Sequence, residues 1–174
     1  DGKTAYGAQI SLTAHDRGIY TYQRSLNNFN NTTFSKIRTY DTLGGNPYIS
    51  FWKCVLLIEC VRMINQNEPH IQVQSFLDII DALQRNGFLA ADNDISVTVT
   101  RLVESDSALS IKSVFQHNRK YATDTELHGA EEIYAAIKNS IKNVYINARF
   151  LLIIDGLDDI LNNTEFKAEI ITGL

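Results

Sequence analysis

The sequence predicts an α/β fold: a three-layer sandwich with a mainly parallel sheet and helices on both of its faces. Three observations carry the prediction. Phe150-Leu151-Leu152-Ile153-Ile154 is apolar without alternation and ends on Asp155, the pattern of a strand covered on both faces that delivers an acid at its carboxyl end. Just upstream, Ile133, Ile137 and Ile141 recur four apart between Ala130 and Asn143, so helix, turn and strand follow one another as in the second half of a βαβ crossover. Finally, 174 residues that are 44% hydrophobic suffice for one domain with a real core. The whole of 1–174 reads as that single domain.

Taken in order, the chain opens with Gly2-Lys3-Thr4, and Thr4 to Leu12 reads as a helix whose small residues Ala5, Gly7 and Ala8 would allow close packing on a sheet. Gly7 weakens the helix without ending it. Gly18 to Gln23 has the β-branched and aromatic character of a strand, and Phe34 to Tyr40 is a second candidate strand beyond the Asn-rich turn from Asn27 to Thr33. Gly44-Gly45-Asn46-Pro47 then starts a helix reaching Gln66, with Asn46 as its cap and Pro47 in its first turn. Phe51, Trp52, Val55, Leu56, Leu57, Ile58 and Val61 leave this helix little polar face, so it should be buried between the sheet and a neighbour, with Trp52 in the core.

Phe76, Ile79, Ile80 and Leu83 predict a further helix over 71–85, closed by Gly87. Asp78 and Asp81 share one face of it, a pairing that suits a metal but is ordinary on a solvated helix surface. Ile95, Val97 and Val99 alternate with Ser96, Thr98 and Thr100, which predicts a half-exposed strand from Ile95 to Val103 outside the common core. From Asp106 to His128 the pattern dissolves, so 95–128 reads as an insertion, and neither His117 nor His128 has a second ligand at metal-binding spacing. The helix from Ala130 carries Glu131 and Glu132 in its first turn and Lys138 and Lys142 at its other end, each matched to the helix dipole. After the apolar strand, Asn162-Asn163-Thr164 would cap a short helix from Glu165 to Ile171.

A net charge of −4 without blocks of like charge argues against a dedicated nucleic-acid or anionic-membrane surface. No apolar run has the length to cross a bilayer and the N-terminus has no signal pattern, so the expected location is cytoplasmic, with no membrane partner. Cys54 and Cys60 fall on different sides of a helix and read as packed thiols in a reducing compartment. Asn31-Thr32-Thr33 is accordingly a loop rather than a glycan site.

The chemistry concentrates in two places. Gly2-Lys3-Thr4 has the form of the end of a phosphate-binding loop, in which Lys reaches the terminal phosphates, the hydroxyl holds Mg2+ and the following helix turns its N-terminus to the anion. The first glycine of such a loop, and the strand before it, would precede Asp1, so either the triplet is a coincidence or the chain is cut from a longer one, with both ends expected to continue. At the other place, Asp155 is fixed at the end of a stiff strand and suits a metal-bound water, while Asp158 and Asp159 follow on a turn from which either would orient or deprotonate a water attacking a γ-phosphate. Gly156 between them lets the backbone bend beside a ligand. The plain alternative is a buried strand ending in a solvated acidic turn.

Phe150 to Asp159 resembles the Walker B segment of P-loop NTPases, and its Asp-Gly-Leu-Asp-Asp ending is similar to the Asp-Gly-Leu-Asp-Glu form of STAND-class ATPases, including NACHT-type and related bacterial ATPases. Gly2, Lys3 and Thr4 match the end of that family's Walker A loop. The resemblance implies a P-loop NTPase-like domain that binds ATP and Mg2+, with Thr4 and Asp155 toward the metal and Asp158 and Asp159 toward the water. It also implies an ATP-driven switch inside a larger signalling or antiviral defence protein, acting with its other domains or as a homo-oligomer. Three departures stand out. The front of Walker A is missing, Asp159 stands where Glu is usual, and the long interval from Lys3 to Asp155 implies an insertion such as 95–128.

Two functions from different classes follow. One is ATP binding and hydrolysis as a regulatory switch. The other is a catalytically silent nucleotide-binding or scaffold module that mediates oligomerisation, favoured by the shorter Asp159. A small-molecule phosphotransferase fits less well, since the arginines are scattered and mark no second phosphate-bearing substrate.

Overall fold

A computed structural model describes residues 2–26, 47–89, 95–104 and 130–156. Within them the fold is mixed α/β. Helix α1 (Gly2–Asp16) leads through a two-residue turn into strand β1 (Ile19–Ser25); helices α2 (Pro47–Asn67), α3 (Gln74–Arg85), α4 (Ile95–Glu104) and α5 (Ala130–Ile141) follow, and strand β2 (Arg149–Asp155) comes last. The two strands pair in parallel, Ile19 opposite Arg149 through to Ser25 opposite Asp155. That pairing agrees with the predicted crossover. No helix among the described residues is long and apolar enough to cross a membrane.

The strands present two different faces, because side chains alternate along them. Gln23 and Ile153 look toward α1, where the Gly7 backbone comes close to both. Among the α1 residues whose burial is described, only Gly7 and Ala14, two turns apart, are buried, and Tyr6 and Leu12 are exposed. The opposite face looks toward α2: Arg24 meets Glu59, and Asn67 donates to both the Tyr22 hydroxyl and Met63 O. Helices therefore lie against both faces of the described strand pair.

The core lies on the α2 side. Phe51, Trp52, Val55, Ile58, Val61 and Ile64 of α2 pack with α3 and α5, as the nearly uninterrupted apolar surface of α2 requires. Trp52 is fully buried and meets Phe51 edge to face, their rings 6.0 Å apart. Helix α3 buries Phe76, Ile79, Ala82 and Leu83, and it ends at Gly87 as expected. There φ is +71°, while the amides of Gly87 and Phe88 return to the carbonyls of Gln84 and Leu83. Asp78 accepts a bond from Gln74 and Asp81 pairs with Arg85, so both acids serve the helix surface.

Cys54 is buried, Cys60 half-buried, and both are free thiols. Burial pushes both thiols above their ordinary pKa; for Cys54 a backbone hydrogen bond at Tyr134 opposes the shift, and for Cys60 the neighbouring Glu59 adds to it.

Two expectations are corrected. Ile95 to Val103 is helical, not a strand, and it belongs to the core: Ile95, Val99, Leu102 and Val103 are all buried in the main cluster. The spacing i, i+4, i+7, i+8 is one helix face, and the alternating β-branched residues that mimic a strand are overridden by packing. Residues 95–104 are thus core rather than insertion. The second correction concerns the depth of β2, read as buried on both faces. Phe150 to Asp155 are only half-buried, and among the described residues β2 has one sheet neighbour, β1. The predicted strand Phe34 to Tyr40, the Asn-rich turn, Asn46, residues 105–128 with both histidines, and the helix Glu165 to Ile171 lie outside the described residues.

Candidate functional site

Of the candidate site residues singled out by the sequence, Asp155 and the backbone of Gly2, Lys3 and Thr4 are described, and Asp155 ends β2. Three contacts fix how α1 lies along the sheet. At the bottom, Arg149 at the start of β2 donates from Nη2 to Arg17 O, 2.7 Å away, just past the end of α1. Higher up, a Cβ placed on Gly7 would stand 3.8 Å from Ile153 Cγ2 and 3.9 Å from Gln23 Nε2. Helix and strands therefore run in opposite directions, and α1 begins at the end where the strands finish.

Helical rise carries this upward. Thr4 and Lys3 precede Gly7 by three and four residues, about 4.5–6 Å along the helix axis. Asp155 follows Ile153 by two residues, about 6.5 Å along the strand. The backbone of Gly2, Lys3 and Thr4, which forms the first turn of α1, is thus level with Asp155. Strand alternation also puts Asp155 on the face that Ile153 shows to α1. A small residue at position 7 allows this closeness: a single Cβ would stand in ordinary contact, whereas a long side chain would hold the helix away from the sheet.

Asp155 is held by the backbone around it. Its carbonyl accepts the Leu26 amide at 3.0 Å, and its Oδ1 accepts the Gly156 amide at 2.9 Å. Gly156 has φ +89°, a conformation that favours glycine. Asp158 and Asp159 lie outside the described residues.

Sequence reasoning missed a charged cluster directly beneath this edge. Arg24, Glu59 and Arg62 are all buried, at 5%, 0% and 5% exposure. Arg24 Nε donates to Glu59 Oε2 at 2.8 Å, Arg62 Nη2 stands 3.3 Å from Glu59 Oε1, and the same nitrogen donates to Phe88 O at 2.6 Å. A signal was available: Glu59 and Arg62 are a charged i, i+3 pair in a helix otherwise apolar nearly all round, where a charge must find a partner. At the opposite end of β2, buried Glu68 accepts the amides of Asn147 and Ala148 at 3.2 and 2.8 Å and pairs with His70.

The arrangement suits an anion bridged to a cation. A helix N-terminus attracts phosphate oxygens, and a carboxylate on the same face and level can hold a hydrated divalent ion. Mg2+ asks for one or two carboxylates and retains waters, so Asp155 fits that ion although the described residues include no cluster of three or more His, Cys, Asp or Glu. No family model, curated protein or solved structure matches the chain.

Proposed function

We propose that this chain is an ATP-binding and hydrolysing domain of P-loop NTPase type, a three-layer sandwich used as a regulatory switch within a larger cytoplasmic protein. The observation that supports it most is the approach of Gly7 to Ile153, which levels the first turn of α1 with Asp155. In this reading Gly2, Lys3 and Thr4 bind the β- and γ-phosphates, and Thr4 and Asp155 hold Mg2+. When bound, Mg2+ neutralises phosphate charge. Asp159, or Asp158 beside it, orients the attacking water and accepts its proton.

The second reading keeps nucleotide binding and drops turnover, so that ATP stabilises contacts with other domains or with further copies of the chain. The shorter side chain of Asp159, where Glu is usual, favours it. Calorimetry of the full-length protein with Mg-ATP tests the binding that both readings share. Lys3→Ala is expected to weaken affinity by about 10–100-fold, the equivalent of one charge-assisted contact. Equal affinity in the variant would remove the phosphate site.

A further inference from the structure

The buried cluster beneath the strand ends sits beside the backbone that carries Asp155. Arg24 is opposite Ile154 in the register, one step before Ser25 meets Asp155. Two residues beyond Arg24, the Leu26 amide holds the Asp155 carbonyl. The end of β1 is itself secured on the α2 face in two ways: Leu26 is buried in the apolar core, and Arg24 donates to Glu59. Apolar packing is non-directional, whereas a charge-assisted hydrogen bond fixes distance and angle. Glu59 is in turn held against Arg62, which also donates to the Phe88 carbonyl beyond the end of α3. A continuous polar path therefore runs from the end of α3, through α2, to the backbone that carries Asp155.

We infer that Arg24, clamped by Glu59, is the positioning residue that sets the Asp155 carboxylate at its cation site. The inference rests on the proposed nucleotide reading for the identity of the cation, and on the hydrogen bonds alone for the clamp. The effect of Arg24 passes through Leu26 to Asp155 and from there to the Gly156 amide that orients Oδ1.

Arg24→Met is the informative substitution because it leaves Glu59 paired with Arg62, so the buried carboxylate keeps a partner. Arg24→Lys is the companion, retaining charge without the directed Nε–H bond. In the full-length protein, site-resolved hydrogen exchange should show the Leu26 and Gly156 amides opening about tenfold faster or more in Arg24→Met, while Phe76 and Leu83 of α3 keep wild-type protection. In parallel, the MgCl2 concentration that half-saturates the enhancement of ATP binding should rise by about tenfold, with Mg-free ATP affinity unchanged. Arg24→Lys should fall between. Uniform acceleration through α3, or none, overturns the clamp, because Arg24 would then be a general stability residue or no constraint. Selective acceleration with an unmoved Mg2+ requirement overturns the positioning of the cation site. If wild-type protein shows no Mg2+-dependent ATP binding, the nucleotide reading falls and takes the cation with it, while the exchange data still judge the clamp.

Discussion

Gly7 of α1 lies against Ile153 of β2, close enough that a Cβ on the glycine would stand 3.8 Å from Ile153 Cγ2. That distance is ordinary van der Waals contact, and the glycine has no positive φ. Gly7→Ala is therefore expected to stabilise the protein by about 0.5–1 kcal/mol, since alanine removes the entropic penalty of glycine in a helix and its methyl fits the gap. Gly7→Leu should destabilise by about 1–3 kcal/mol, because the added atoms drive α1 off the sheet. Chemical denaturation of both variants checks the pair; a destabilising alanine would mean that the helix sits closer than described.

Glu68 anchors the approach to β2. It is buried and accepts the amides of Asn147 and Ala148. Glu68→Ala should cost about 2–3 kcal/mol, the range for one to two hydrogen bonds to a charged group, since both amides lose their acceptor. Glu68→Gln retains a carbonyl oxygen and should recover part of the loss. Urea titrations of the two variants measure the difference, and equal stability of alanine and glutamine variants would show that the acceptor contributes nothing.

The proposed roles of the acids separate under mutation. Asp155→Ala should weaken Mg2+-dependent ATP binding, whereas Asp159→Asn should leave binding intact and slow turnover by about 10²–10⁴, the usual contribution of a positioned base. Phosphate release by the full-length protein, beside calorimetry, reads both. ATP binding without hydrolysis under any activating condition would favour the scaffold function and end the catalytic assignment of Asp159.

The thiols predict an alkaline limit. Burial raises the pKa of Cys54 and Cys60 in the folded state, so on unfolding they release protons once the pH exceeds about 8.5, the unfolded value. The folded state then binds more protons than the unfolded one, and stability falls as pH rises above that value, by up to about 1.4 kcal/mol per pH unit for each thiol. Below it the two states are equally protonated and this contribution is flat. Thermal melts of wild type and Cys54→Ala between pH 8 and 10.5 should show a shallower decline in the variant; parallel declines would rule out a contribution from Cys54.

By itself the sequence determined the elements whose patterns are local. The i, i+3, i+4 spacing in α2, α3 and α5, the glycine stop at Gly87, the apolar run of β2 and the glycine conformation of Gly156 are all present where the residues put them. Each depends on the conformational preference of a few neighbouring residues or on one periodicity, and so is written within a short window. Residues 95–103 show the limit of that window. Their alternation fits a strand, but the chain forms a helix because Ile95, Val99, Leu102 and Val103 find the core on one helical face. The candidate site divides in the same way. Gly2 to Thr4 and Asp155 stand out in the sequence as candidates, but their heights along the sheet follow from Gly7 meeting Ile153 across the fold. Arg24 likewise acquires its partner, Glu59, only in the tertiary structure. Contacts between residues far apart in the chain follow from which faces bury together, and no local preference specifies them.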